Sequence, residues 1–171
     1  SFYLDHALEI LDQYPDPKLL FKVYMMYGNN YNSIWEQKHD TILTLYTALD
    51  WYYMAYENIH KRFESGEAVK PEMAGILYNI GNVYTKLGRE DYIKDGYDYI
   101  RQAKRVAKSI DVSDSPGDYS FKHGILLLML NKSLAEEKAE QGRFKEAEQL
   151  FMEAEKHSDS VIKNFLFQNY K

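Results

Sequence analysis

The chain contains no cysteine. Structural disulfides, cysteine-bound zinc and thiol catalysis are therefore excluded. Cytosol and periplasm both hold cysteine-free proteins, so the compartment stays open, with the cytosol as the leading expectation. Long apolar runs are also missing. The longest, Gly124-Ile125-Leu126-Leu127-Leu128-Met129-Leu130, is far short of the roughly 20 residues that span a bilayer, so no membrane insertion is expected. Positive charge is in short supply too. Lys and Arg number 21 against 26 Asp and Glu, for a net charge of −5. Nucleic-acid binding rests on a basic surface that displaces counterions, and no such partner is expected of this domain.

Tyrosine is plentiful, with 16 copies against two Trp and eight Phe. A tyrosine ring fills apolar space while its hydroxyl keeps a polar partner. The chain can thus pack helices and still present hydrogen bonds at their edges. At 171 residues with 45% apolar content it is long enough for one domain with a substantial core.

Four prolines and a few Gly or Asp clusters punctuate stretches whose apolar period is helical, with no strand alternation. The spacing predicts a first helix over Phe2–Gln13, with Leu4, Ala7, Leu8 and Leu11 on one face. Tyr14-Pro15-Asp16-Pro17 ends it. Asp16 then caps a second helix with Pro17 at its first position, and this helix is expected to fade near Asn32. Asp40 is the expected cap of a long third helix reaching Phe63, stopped by Glu64-Ser65-Gly66. Pro71 opens a fourth, which Gly88 terminates. A fifth spans Asp91–Ile110. After a loop at 111–118, a sixth covers Tyr119–Gln141, ended by Gly142. A seventh runs over Phe144–His157, and Ser158 or Asp159 caps an eighth over Val161–Tyr170.

Local strings recur among these helices. Tyr24-x-x-Tyr27-Gly28-x-x-Tyr31 and Leu77-x-x-Ile80-Gly81-x-x-Tyr84 share one pattern, and Gly81 follows Gly28 by 53 residues. A weaker copy holds Leu134-Ala135, with Lys138 in place of the aromatic. Ala48-x-x-x-Tyr52-x-x-Ala55, Gly96-x-x-x-Ile100-x-x-Ala103 and Ala147-x-x-Leu150-Phe151-x-x-Ala154 alternate with them. Ala7-x-x-x-Leu11 stands as an orphan of this second type. Small residues at fixed places are what closely crossing helix axes need.

These strings resemble the tetratricopeptide repeat family over nearly the whole chain. The family's repeat is about 34 residues, so the spacing here is stretched. The resemblance implies an all-α, right-handed superhelical stack of antiparallel helix pairs, with 7–8 helices. It implies a single domain over 1–171: three helix pairs plus flanking single helices. Helical periodicity running to both ends predicts a piece of a longer protein. Stretched repeats also resemble the helical sensor domains of bacterial regulators.

In such an array the first helices of each pair line a concave face. The position after the small residue, and the one four earlier, face into it: Asn29 and Met25, Asn82 and Tyr78, Glu136 and Lys132. The family commonly places an Asn there to hold a peptide backbone, and Asn29 and Asn82 match; Glu136 departs from the pattern. Asn79 lies one turn from Asn82, and Tyr84 is a further candidate contact. An amide donates and accepts at once, which suits backbone recognition.

Catalytic patterns are lacking. The histidines at 6, 39, 60, 123 and 157 never stand four apart, as a helical zinc pair requires. Neighbouring carboxylates such as Glu90-Asp91 and Glu136-Glu137 diverge around a helix. Neither a phosphate-cradling glycine loop nor a Gly-x-Ser-x-Gly elbow occurs. Arg101, Lys104, Arg105 and Lys108 gather at the end of the fifth helix, opposite acidic residues at its start, and complement the helix dipole. The expectation is a protein- or peptide-binding scaffold with no catalytic activity and no cofactor or metal. The alternatives are a ligand-sensing module of a bacterial regulator and a plain helical bundle with no groove. Exposed terminal helices make self-association a further expectation.

Overall fold

A computed structural model describes residues 2–38, 41–67, 69–111 and 117–169, with the side chains of all of these except 117–121 and 159–169. Among them the chain forms seven α-helices and no strand: α1 Phe2–Gln13, α2 Pro17–Lys38, α3 Ile42–Glu64, α4 Lys70–Leu87, α5 Glu90–Lys108, α6 Gly117–Glu140 and α7 Phe144–Asn169.

The punctuation acts through identifiable bonds. Asp16 Oδ1 accepts from the backbone N–H groups of Lys18 (2.8 Å) and Leu19 (3.1 Å), satisfying two donors that the first turn of α2 leaves free. Gly88 closes α4 at φ 74°, a left-handed conformation that a Cβ disfavours. Asp40, the expected cap of α3, lies outside the described residues. So does most of the 111–118 loop, and so does His39. Thr41 precedes α3 without a side-chain capping bond.

Two boundaries differ from the sequence reading by more than two residues. α2 runs six residues past Asn32, to Lys38. Its polar stretch is held helical by tertiary contacts: Trp35 packs against the core, and Asn32 and Glu36 both bind Lys86 of α4. The expected eighth helix is the continuation of α7. Ser158 and Asp159 are poor helix formers but cost only tenths of a kcal/mol each, and no Gly or Pro stands beside them to break the backbone.

Each helix packs chiefly on its neighbours in the chain, and α4 also touches α6. Cross-links fix the directions. Asn79 binds Asn29 and Lys86 binds Asn32, so α2 and α4 ascend together. Tyr53 Oη lies 3.3 Å from Tyr99 Oη, and Tyr46 shares a hydrogen bond with Tyr92, so α3 and α5 also run parallel. α2, α4 and α6 thus form one row, and α3 and α5 belong to the other. Among the described residues, α1 and α2 make no extensive contact with α6 or α7.

One continuous core threads both rows, from Phe21 through Leu45, Tyr52, Ile76, Ile80 and Ile100 to Leu130 and Leu134. A satellite of Leu11, Val23 and Tyr27 sits under α1. The small residues lie at the crossings. A Cβ on Gly81 would stand 2.6 Å from the Gly96 carbonyl oxygen, and one on Gly96 would stand 2.8 Å from that of Gly81. A Cβ on Gly28 would meet the Tyr52 ring at 2.3 Å. Ala48, Ala55, Ala103 and Ala135 are fully buried.

Candidate functional site

The sequence candidates fall on the α2–α4–α6 row, and the structure brings several of them together. Asn29 Oδ1 accepts from Tyr52 Oη (2.8 Å) and from Asn79 Nδ2 (3.3 Å). Its carbonyl is therefore committed to joining α3, α2 and α4, while the residue itself is exposed. Asn82 follows Asn79 by one turn, half-buried. Among the described residues no hydrogen bond engages its side chain, so this amide can both donate and accept.

Tyr78, on α4, reaches Ser133 of α6. Burial raises its phenol pKa; a hydrogen bond with Ser133 opposes that rise, and the carboxylates of Glu136 and Glu36 add to it. The Ser133 hydrogen bond joins α4 to α6 here. Lys132 and Glu136 form an exposed ion pair at 3.8 Å along α6.

Met25 lies one turn before Asn29, against the core. It helps to line a cavity of about 400 Å³ with Phe21 of α2, Pro71, Glu72 and Gly75 of α4, Ile110, and Lys122, His123 and Leu126 of α6. A Cβ on Gly75 would meet nothing within 4 Å. This glycine, unlike Gly28, Gly81 and Gly96, is not demanded by a helix crossing.

Tyr84 is placed elsewhere. Its ring stacks on Tyr99 at 5.8 Å and meets Tyr92 edge-on, and its hydroxyl lies 2.9 Å from that of Tyr53. It belongs to a tyrosine cluster between α3, α4 and α5. The tyrosine excess is partly explained there, since three hydroxyls satisfy one another where aliphatic side chains would leave no polar link between the rows. Burial and these hydrogen bonds drive the Tyr53 phenol well above its ordinary range.

Two members of the basic stripe of α5, Arg101 and Lys104, are used internally. Arg101 Nη1 donates to both carboxylate oxygens of buried Glu137 at 2.7 Å, and Lys104 reaches Glu153 at 3.3 Å. Among the described residues no group of three or more His, Asp or Glu is arranged to hold a metal ion, and no helix is long and apolar enough to cross a membrane.

The sequence reading missed Asn32, Glu36 and Lys86, which continue the row past Asn29 and Asn82. Lys86 binds both partners on α2 and lies 5.8 Å from the centre of the Trp35 ring. Asn32 follows Asn29 by three residues, Lys86 follows Asn82 by four and Glu36 follows Asn32 by four, and this helical spacing was the available signal. Gly75 was missed because its neighbours on α2 and α6 are distant in sequence. Comparison with family models, with curated proteins and with solved structures finds no match to this chain.

Proposed function

We propose that this chain is a tetratricopeptide-like scaffold that binds an extended segment of another polypeptide along the α2–α4–α6 row. In this reading the two rows of helices wind as a right-handed superhelix with that row on its inner side. The observation that carries the proposal is the joining of two different recognition elements on one row. Asn29, Asn79 and Asn82 offer amide groups, and Phe21, Met25 and Leu126 wall an apolar cavity at the same row's beginning. Amides that both donate and accept suit a peptide backbone, and a pocket suits one of its side chains. Concave, mostly apolar sites with a few placed polar groups are the usual form of binding sites. The chain acts by holding its partner, without chemistry of its own.

The test is selection of binders from a randomised peptide library on the full chain, followed by amide shift mapping with a selected peptide. Shifts concentrated on α2, α4 and α6, including the Asn79 and Asn82 side-chain amides, are expected. Shifts confined to α3 and α5, or a library that yields no binder, would overturn the reading.

A further inference from the structure

A second cleft adjoins the cavity beside Met25. Phe21 and Glu72 line both. The second cleft adds Lys18 and Lys22, which stand one turn apart on α2 and are exposed. Among the described residues neither lysine forms an ion pair, whereas Arg62, which also lines the cleft, is held by Glu67 at 2.9 Å. A largely apolar recess thus adjoins a cleft bearing two lysines that form no ion pair among the described residues, with one carboxylate, Glu72, common to both.

The floor of the recess strengthens the case. A glycine in a helix interior destabilises it relative to alanine, because it loses more backbone freedom on folding. At Gly75 no neighbouring atom requires that loss, because an added Cβ would meet nothing within 4 Å. What the missing side chain leaves is depth, in the wall that Phe21, Met25 and Leu126 surround.

We propose that this double recess is the specificity pocket of the peptide groove, and that it selects a large apolar residue followed closely by an acidic one. The apolar side chain enters between Phe21, Met25 and Leu126 over Gly75. The acidic side chain meets Lys18 and Lys22. Glu72 sits between the two subsites and repels a carboxylate placed directly over the junction, which sets the spacing between the two anchors. The pocket rests on the peptide-binding reading above, but its test separates from that reading.

The experiment uses the full chain and the same randomised peptide library, screened on three proteins: the parent, Gly75→Leu, and the double variant Lys18→Glu with Lys22→Glu. The parent is expected to enrich peptides with a large apolar residue and an Asp or Glu within a few positions. Gly75→Leu fills the recess from its floor, and circular dichroism should show it folded, with a melting temperature at or above the parent's. It should weaken a selected peptide by more than about tenfold, the equivalent of losing a buried methylene or two. Gly75→Ala, which adds a single methyl, should weaken it less. The charge-reversed variant should switch the enriched acid to Lys or Arg. Binders that carry no such motif, and whose affinity depends on Asn79 and Asn82 but not on Gly75, would overturn the pocket while leaving the groove intact. Enrichment of acids unchanged by the lysine reversal would overturn the acidic subsite. A library that yields no binder would remove the groove and the pocket together.

Discussion

At Gly81 an added methyl would collide with backbone, the Gly96 carbonyl oxygen, whereas at Gly75 it would enter open space. The two glycines share one helix, yet their replacement by alanine should act with opposite sign. Gly81→Ala forces α4 and α5 apart and should lower stability by about 1–3 kcal/mol, the usual effect of overpacking. Gly75→Ala should raise it by about 0.5–1 kcal/mol through helix propensity. Thermal unfolding followed by circular dichroism checks both, and equal effects at the two sites would contradict the crossing geometry. Asn131 gives a third case. It is fully buried on α6, and among the described residues both its amide nitrogen and its oxygen lack a hydrogen-bond partner. A buried polar group left unsatisfied costs about 1–3 kcal/mol. Asn131→Leu, close in size, should therefore raise the melting temperature, and a fall would mean that the amide does something these contacts do not record.

Individual helices start and stop for reasons of differing strength. α2 has a full side-chain cap in Asp16, whereas α3, α4 and α5 begin after residues whose side chains make no capping bond. Asp16→Ala should cost about 1 kcal/mol, with faster hydrogen exchange at the Lys18 and Leu19 amides than elsewhere in α2. Unchanged exchange at those two amides would mean that packing, and not the cap, holds the first turn. At the other end of α2, polar residues from Asn32 onward stay helical because Lys86 and the core claim Asn32, Trp35 and Glu36. Local propensity placed the start of this helix correctly and its end too early. A cap is a local device and legible in sequence; an end secured by a lysine some fifty residues away is not.

Over the whole molecule, stability is distributed unevenly along the stack. α1 is joined to the rest through α2, by Leu11 packing on Val23 and Tyr27 and by the Tyr27 hydroxyl donating to Asp5. Its amides should exchange before those of α4 and α5, which lie in the middle of the continuous core. The tyrosines add a dependence on pH. Burial, the Asp5 hydrogen bond and the Asp5 charge push the Tyr27 phenol up to about 12. Burial and the Glu140 carboxylate push Tyr97 up to about 12. The folded state therefore holds these protons more tightly than the unfolded chain, whose phenols titrate near 10. The stabilisation is complete below that value and is lost as pH rises from about 10 towards 12. Urea unfolding across this window should show falling stability, and Tyr27→Phe with Tyr97→Phe should flatten the fall. An identical slope in the double variant would assign the alkaline loss to other groups.

Helical period, Asp16, Gly88 and the recurring Gly and Ala strings determined by themselves that the chain is all-helical, where most helices begin, and which residues meet at crossings. These are local or periodic properties, set by backbone geometry and by which side chains recur on one face. The same strings carried the positions of Asn29, Tyr78 and Asn82 on one row. Only the tertiary structure decided what those groups are free to do. Tyr52 and Asn79 take the Asn29 carbonyl, Tyr53 and Tyr99 draw Tyr84 away from the row, and Glu137 and Glu153 absorb Arg101 and Lys104. Each of these partners comes from another helix, far off in sequence, so spacing along one helix could not foresee it. The recess over Gly75 is of the same kind, because its walls belong to α2 and α6 and its depth to a side chain that α4 does not have.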